Sequence, residues 1–126
     1  QAWGTLGYAE ANYFTKSQKL LATAKRIVKY YLSQLPEDGA PPWNFHAPDK
    51  YIRDVSSGMV AAFGMSNIYE YTKEEYLNSA LKLVFDCTRL CFNEKSVLYE
   101  DGSVDLGNTD TILKGSTFNN NPDTLE

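Results

Sequence analysis

Two patterns of apolar and polar positions alternate along the first 92 residues. Residues 3–14 are rich in Ala, Gly and aromatic side chains and are apolar on nearly every side, as expected of a helix that is packed on two faces. Residues 17–35 instead repeat their apolar positions at 3.6-residue spacing and carry Lys and Arg on the opposite side. The pair predicts an inner helix followed by an amphipathic outer helix.

The same pair of patterns returns about 57 residues later. Residues 7–28 read again at residues 64–84, with a Thr-Lys break between the two helices of each copy. The second inner helix is predicted at residues 57–71 and the second outer helix at residues 74–92. Two-helix repeats stack on their neighbours, because one hairpin cannot bury its own apolar face. The sequence therefore predicts an all-α fold built from two helical hairpins.

A long connection separates the two hairpins, and a turn-rich segment follows the second. The connection holds prolines beside Trp43, Phe45 and His46, and connections of this length in compact helical folds are uncommon and often functional. We expect short strands at residues 97–99 and 111–113 of the final segment. The predicted division is hairpin one at about 1–35, a loop at 36–53, hairpin two at about 54–92 and an irregular tail at 93–126.

Charge and composition exclude several classes of function. A net charge of -4 and a pI near 5.0 give no electrostatic case for binding nucleic acid or an anionic membrane surface. No apolar run approaches the roughly 20 residues that span a bilayer. Cys87 and Cys91 are predicted to be small apolar residues of a helix, and a zinc site would need further ligands beside the single histidine, His46. Both ends of the chain lack terminal signals, so we expect an internal part of a longer protein.

Aromatic, amide and acidic side chains gather in the long loop and at the helix starts, a combination typical of sugar recognition. Indole faces stack on the C–H surfaces of sugars, while amides and acids bind hydroxyl groups. The candidates are Trp3, Trp43, Asn44, Phe45, His46 and Asp54. Glycoside hydrolysis usually needs two carboxylates at the scissile bond. The residues alone do not single out a pair among Glu37, Asp38, Asp49 and Asp54.

Three candidates also have a structural interpretation. Asp54 is a candidate N-cap for the second inner helix, as is Ser56, because a short polar side chain can accept the unpaired N–H groups of a first turn. Trp43 could be a packed anchor of the loop as readily as the wall of a groove. His46 could hydrogen-bond within the loop, since no orienting partner for a catalytic role is visible.

Four motifs also occur in a characteristic order, and the second of them comprises residues 35–39 together with residues 42–48. Gln1-Ala2-Trp3-Gly4 is followed by Gly7-Tyr8, and residues 35–39 read Leu-Pro-Glu-Asp-Gly. Residues 42–48 read Pro-Trp-Asn-Phe-His-Ala-Pro, residues 53–58 read Arg-Asp-Val-Ser-Ser-Gly and residues 112–120 read Ile-Leu-Lys-Gly-Ser-Thr-Phe-Asn-Asn. Together they resemble the unsaturated glucuronyl hydrolases, glycoside hydrolase family 88.

The resemblance implies that the two hairpins form part of an (α/α)6 barrel, with the remainder of the same barrel as their partner. It implies a substrate as well, an oligosaccharide from a polysaccharide lyase with an unsaturated terminal uronate. An Asp protonates C4 of the C4=C5 bond, water adds at C5, and the resulting hemiketal releases the neighbouring sugar. No metal and no organic cofactor is implied. The family's two catalytic aspartates precede the Gln-x-Trp motif, so we expect no catalytic residue in this chain and no turnover by the chain alone.

The substrate-binding residues implied by the resemblance are Gln1, Trp3, Trp43, Asp54, Ser56 and Ser57. Leu6, Asn44 and His46 differ from the family pattern, which bears on the preferred saccharide. Two alternatives stay open: a non-catalytic helical-repeat binding module, and another (α/α)6 enzyme such as an unsaturated rhamnogalacturonyl hydrolase or a sugar epimerase. A 57-residue period differs from the roughly 34 residues of tetratricopeptide repeats, and the Pro-x-Trp-x-Phe-x-Ala-Pro loop favours the glucuronyl hydrolase.

Overall fold

The computed structural model describes residues 1–48, 52–92, 97–98, 104–105 and 113. Its elements, in chain order, are α1 (Ala2–Thr15), α2 (Gln18–Gln34), α3 (Val55–Thr72), α4 (Tyr76–Cys91), β1 (Val97–Leu98) and β2 (Val104–Asp105). The predicted all-α body of two helical hairpins is confirmed, and each helix bound differs from the prediction by one or two residues. None of the described helices is both long and apolar enough to cross a membrane.

The tail contributes a small antiparallel pairing. β1 pairs with β2, with Val97 opposite Asp105 and Leu98 opposite Val104. Leu113 forms an isolated bridge with Phe92 at the end of α4. Asp49, the rest of the predicted strands and all but one residue of the 112–120 motif lie outside the described residues. The division of the chain at 35, 53 and 92 stays a prediction.

The Thr-Lys break ends both inner helices in the same way. Lys16 (φ 54°) and Lys73 (φ 55°) adopt the left-handed conformation and close the last turn through their N–H groups. In each copy a threonine hydroxyl then accepts the N–H two residues on, from Ser17 to Thr15 and from Glu74 to Thr72. The repeated sequence thus produces a repeated turn, which reverses the chain into the outer helix.

The inner helices pack side by side. α1 and α3 contact each other along their length, α2 packs mainly on α1, and α4 packs on α3. Gly64 marks a close approach of α3 to α1, because a Cβ built there would lie 2.8 Å from the backbone N of Leu6. α1 is less enclosed than its sequence predicts, since Trp3 and Phe14 are exposed. The described residues cover only the sides of α1 that face α2 and α3.

Candidate functional site

The long loop closes on itself at its base. The N–H of Trp43 donates to the carbonyl of Ile52 (3.0 Å), and Pro42 and Arg53 form an antiparallel bridge. The Asp38 carboxylate forms an ion pair with Arg53 across the same base. Closing the loop in this way brings the residues after Trp43 back over the helix ends. Asp38 is therefore a structural carboxylate of the loop.

Phe45 anchors the loop to α2. Its side chain is only 8% exposed, and its ring meets the ring of Tyr31 edge-on, with centroids 5.2 Å apart. Next to it the Asn44 side-chain oxygen accepts the N–H of His46 (2.9 Å), and the His46 ring lies 3.4 Å from the Tyr30 hydroxyl. His46 is therefore a hydrogen-bonding residue of the loop. Trp43 remains 38% exposed, which leaves part of its indole available to a ligand.

A cleft of about 300 Å³ opens between the loop and the first turns of the two inner helices. Gln1 and Ala2 come from the start of α1, and Ser57 comes from the first turn of α3. The complete lining is Gln1, Ala2, Tyr31, Pro42, Trp43, Asn44, Phe45 and Ser57. Three of the six predicted substrate-binding residues, from three separate segments of the chain, thus surround one cleft.

Asp54 and Ser56 lie beside the cleft but do not line it. The Asp54 carboxylate accepts the N–H of Ser57 (3.3 Å) and the hydroxyl of Ser56 (2.6 Å) at the start of α3. This is the geometry of a helix N-cap, in which a side-chain oxygen accepts an otherwise unpaired N–H of the first turn. The structure therefore assigns Asp54 the capping role.

Trp3 does not line the cleft either, although its neighbour Ala2 does. Its indole is 74% exposed, so Trp3 is not a core residue of the described structure. A large aromatic side chain left this exposed is available for contact with a ligand or with further chain. Its substrate-binding role stays a prediction.

Tyr31 is the lining residue whose role sequence reasoning missed. The 3.6-residue pattern of residues 17–35 includes position 31 and predicts only a buried side chain there, and the ring is indeed 1% exposed. Its hydroxyl nevertheless lies 2.9 Å from Oγ of Ser57. Burial raises the pKa of the Tyr31 hydroxyl well above its usual 10.0, so the group keeps its proton at neutral pH. A tyrosine in an otherwise aliphatic stripe was the available signal, because a buried hydroxyl needs a partner.

The remaining candidate chemistry lies away from the cleft. None of the described residues that line it carries a carboxylate. Within the described ranges, no group of three or more His, Cys, Asp or Glu side chains is placed to hold a metal ion. Cys87 is buried, which raises the pKa of its thiol to about 12, while Cys91 is half-buried. A larger cleft, of about 430 Å³, lies at the opposite ends of the inner helices between Glu10, Tyr13, Asn67 and Glu70.

Known proteins show where the chain fits. No family model matches it. It is similar to the unsaturated glucuronyl hydrolase of Bacillus sp. strain GL1, at 37% identity over 54% of the chain and 19% of the relative. It is also similar to the unsaturated glucuronyl hydrolase of Formosa agariphila, at 32% identity over 67% of the chain and 22% of the relative. The matched region thus spans about a fifth of the length of these curated relatives.

Solved structures agree with this similarity. A structure of an unsaturated glucuronyl hydrolase (UGL) variant with dGlcA-Glc-Rha-Glc superimposes with a TM-score of 0.67 at 28% identity. The match covers 72% of the chain and 26% of that protein. The Bacillus sp. GL1 unsaturated glucuronyl hydrolase, described as responsible for the degradation of glycosaminoglycan, gives a TM-score of 0.68 with the same identity and coverage. The resemblance to unsaturated glucuronyl hydrolases is thereby confirmed over the matched part. The two hairpins match the helical structure of these enzymes, as expected for part of an (α/α)6 barrel.

Proposed function

We propose that this chain forms part of a glycoside hydrolase that acts on oligosaccharides ending in an unsaturated glucuronate. The observation that carries the proposal is the meeting of Gln1, Trp43 and Ser57 around one cleft. These residues come from three of the four motifs shared with unsaturated glucuronyl hydrolases. The similarity to two enzymes of that name supports the same activity.

The chemistry of the cleft suits the binding of a saccharide. The half-exposed indole of Trp43 offers an apolar face to sugar C–H groups. The amides of Gln1 and Asn44 and the hydroxyl of Ser57 offer neutral donors and acceptors to sugar hydroxyls. The side chains that line the described cleft carry no charge, so we infer that the charged uronate of the substrate binds outside it. We infer that the cleft holds part of the oligosaccharide and does not itself supply the proton.

The proposed reaction is a hydration followed by a rearrangement. An aspartic acid donates a proton to C4 of the C4=C5 bond, and water adds at C5 and loses a proton. The hemiketal opens by breaking the bond between C5 and the ring oxygen, which leaves a ketone at C5 and a hemiacetal at C1. That hemiacetal then becomes an aldehyde and releases the neighbouring sugar as its free alcohol. Because no carboxylate lines the described cleft, we propose that the two catalytic aspartates belong to the rest of the barrel. The chain alone is then expected to show no turnover.

The test follows loss of the unsaturated bond at about 235 nm with purified full-length protein and an unsaturated glucuronyl disaccharide. Trp43→Ala should raise KM by about 2- to 10-fold, because a lost aromatic contact is worth about 0.5–1.5 kcal/mol. Tyr71→Ala is the matched control, since Tyr71 is an exposed aromatic residue at the far end of α3. Wild-type protein that leaves the absorbance unchanged would refute the proposed activity. Equal KM values for the Trp43 variant and the wild type would refute the assignment of the cleft.

The 126-residue chain on its own provides a second test. No decline in absorbance is expected from it under conditions in which the full-length protein is active. A steady decline that Asp54→Ala abolishes would show that the catalytic carboxylate lies within the chain and not elsewhere in the barrel.

A further inference from the structure

One polar contact at the cleft comes from a buried side chain, Tyr31. Tyr31 lies on the buried face of α2, and its ring is held on one side by the edge-on contact with Phe45. Its hydroxyl reaches the floor of the cleft, 2.9 Å from Oγ of Ser57. A ring packed in this way cannot swing, so its hydroxyl stands at a fixed point beneath Ser57.

The direction of this hydrogen bond decides what Ser57 can offer to a ligand. Each hydroxyl has one proton and can also accept. If Ser57 donated to Tyr31, its only proton would be used inside the protein. If Tyr31 donates, the Ser57 proton stays available to the cleft. The Ser57 N–H is already engaged with the Asp54 carboxylate (3.3 Å), so the backbone beneath the hydroxyl is also fixed.

Burial favours the second arrangement. Tyr31 is almost fully buried, whereas Ser57 is half-buried, so the tyrosine is the more enclosed of the two residues. A buried donor left unpaired is costly, whereas the Ser57 proton can point into the open cleft at little cost. The more enclosed hydroxyl is therefore expected to donate to the less enclosed one.

We propose that Tyr31 is a positioning residue, whose hydroxyl donates to Oγ of Ser57 and holds the Ser57 proton toward an acceptor oxygen of the saccharide. The inference rests on the proposed function, because it assigns Ser57 a contact with the substrate of that same cleft. Tyr31 itself does not touch the reacting atoms. It acts only through the orientation of Ser57.

The experiment is a double-mutant cycle in the full-length protein, read as KM and kcat on an unsaturated glucuronyl disaccharide. Tyr31→Phe keeps the ring contact with Phe45 and removes only the hydroxyl. It should raise KM by about 3- to 10-fold and leave kcat within about 2-fold, as for the loss of one neutral hydrogen bond. Ser57→Ala should raise KM by a similar factor. Tyr31→Phe should then have no further effect in the Ser57→Ala background, because residues that act as one unit are not additive.

The outcomes distinguish failure of the proposed function from failure of the positioning role of Tyr31. Wild-type protein without activity overturns the proposed function and this inference together. An active wild type with an unchanged KM in Tyr31→Phe overturns the inference alone. Equal effects of Tyr31→Phe in both backgrounds also overturn it, since the residue would then act by general packing. Tyr69→Phe on α3, outside the cleft, is the matched control and should leave KM unchanged. If Tyr31→Phe does not fold, an unchanged KM in Ser57→Ala overturns the inference by itself.

Discussion

The contact between the two inner helices can be tested by adding one methyl group at Gly64. A Cβ at this position would lie 2.8 Å from the backbone N of Leu6 and 2.8 Å from Cγ2 of Thr5. The Thr5 methyl could turn aside, but the Leu6 backbone belongs to α1 and cannot. The Gly64→Ala variant must therefore push α1 and α3 apart.

The expected magnitude follows from two opposing terms. Forcing an extra methyl group into a closed contact costs about 1–3 kcal/mol of stability. Replacing glycine by alanine within a helix returns about 1 kcal/mol. Gly7 provides the matched control, because it occupies the same position of the repeat in α1, and a Cβ there meets nothing within 4 Å. Gly7→Ala gains the helix term alone, so the difference between the two variants isolates the close approach at about 1–3 kcal/mol.

The assay is unfolding of the purified protein in guanidinium chloride, followed by circular dichroism at 222 nm. Gly7→Ala should be more stable than the wild type, and Gly64→Ala should be less stable than Gly7→Ala by the stated difference. Equal stability of the two variants would refute the argument, because the helix term is common to both. If a variant changes the slope of the transition and not its midpoint, the surface exposed on unfolding has changed, and the two free energies of unfolding cannot be compared directly.

Three further predictions concern Trp3, the N-cap of α3 and the buried Cys87. Trp3→Phe and Trp3→Ala should lower kcat/KM on an unsaturated disaccharide and shift the midpoint of denaturant unfolding only slightly. If Trp3→Ala does not fold while Trp3→Phe keeps full activity, Trp3 is a core residue and the binding role is wrong. Asp54→Ala should destabilise the protein by about 1 kcal/mol through loss of the helix cap, while Asp54→Asn should restore most of that stability in thermal unfolding. Stability should fall as pH rises from 9 toward 12, because the pKa of Cys87 is raised from 9.0 to about 12 by burial and the unfolded chain loses this proton first. Between pH 7 and 11 the free energy of unfolding should decline less for Cys87→Ala than for the wild type. Equal declines for the two proteins would show that Cys87 does not cause the loss of stability.

The helices could be predicted from sequence because their signals are local. The 3.6-residue period of α2 and α4 needs no knowledge of the rest of the fold. The ends of α1 and α3 were also predictable, since the Thr-Lys pair occurs in both copies and produces the same turn at Lys16 and Lys73. Propensity alone would not have placed lysine there, because the left-handed conformation is unfavourable for residues other than glycine. The repetition made the break recognisable.

The cleft was only partly predictable, because it depends on contacts between segments far apart in the chain. The motif in the loop identified Trp43 and Phe45, but it did not show that Phe45 packs on Tyr31 while Trp43 stays half-exposed. Asp54 was placed among substrate-binding residues by resemblance, yet its carboxylate is occupied at the helix start. The structural role of Asp54 thus depends on partners at the start of α3, and the binding role of Trp43 stays a prediction.

The exposed apolar side chains also bear on how the two hairpins are used. Phe85 on α4 is 64% exposed, and Leu81 one turn earlier is exposed beside it. Phe14 near the end of α1 is exposed as well. Covering one such side chain is worth about 1.5–3 kcal/mol, and in stacked helical hairpins the neighbouring hairpins provide that cover. We therefore propose that further hairpins of the same barrel pack against these side chains. The cleft at Gln1, Trp43 and Ser57 would then be one sector of a mouth that the whole ring encloses.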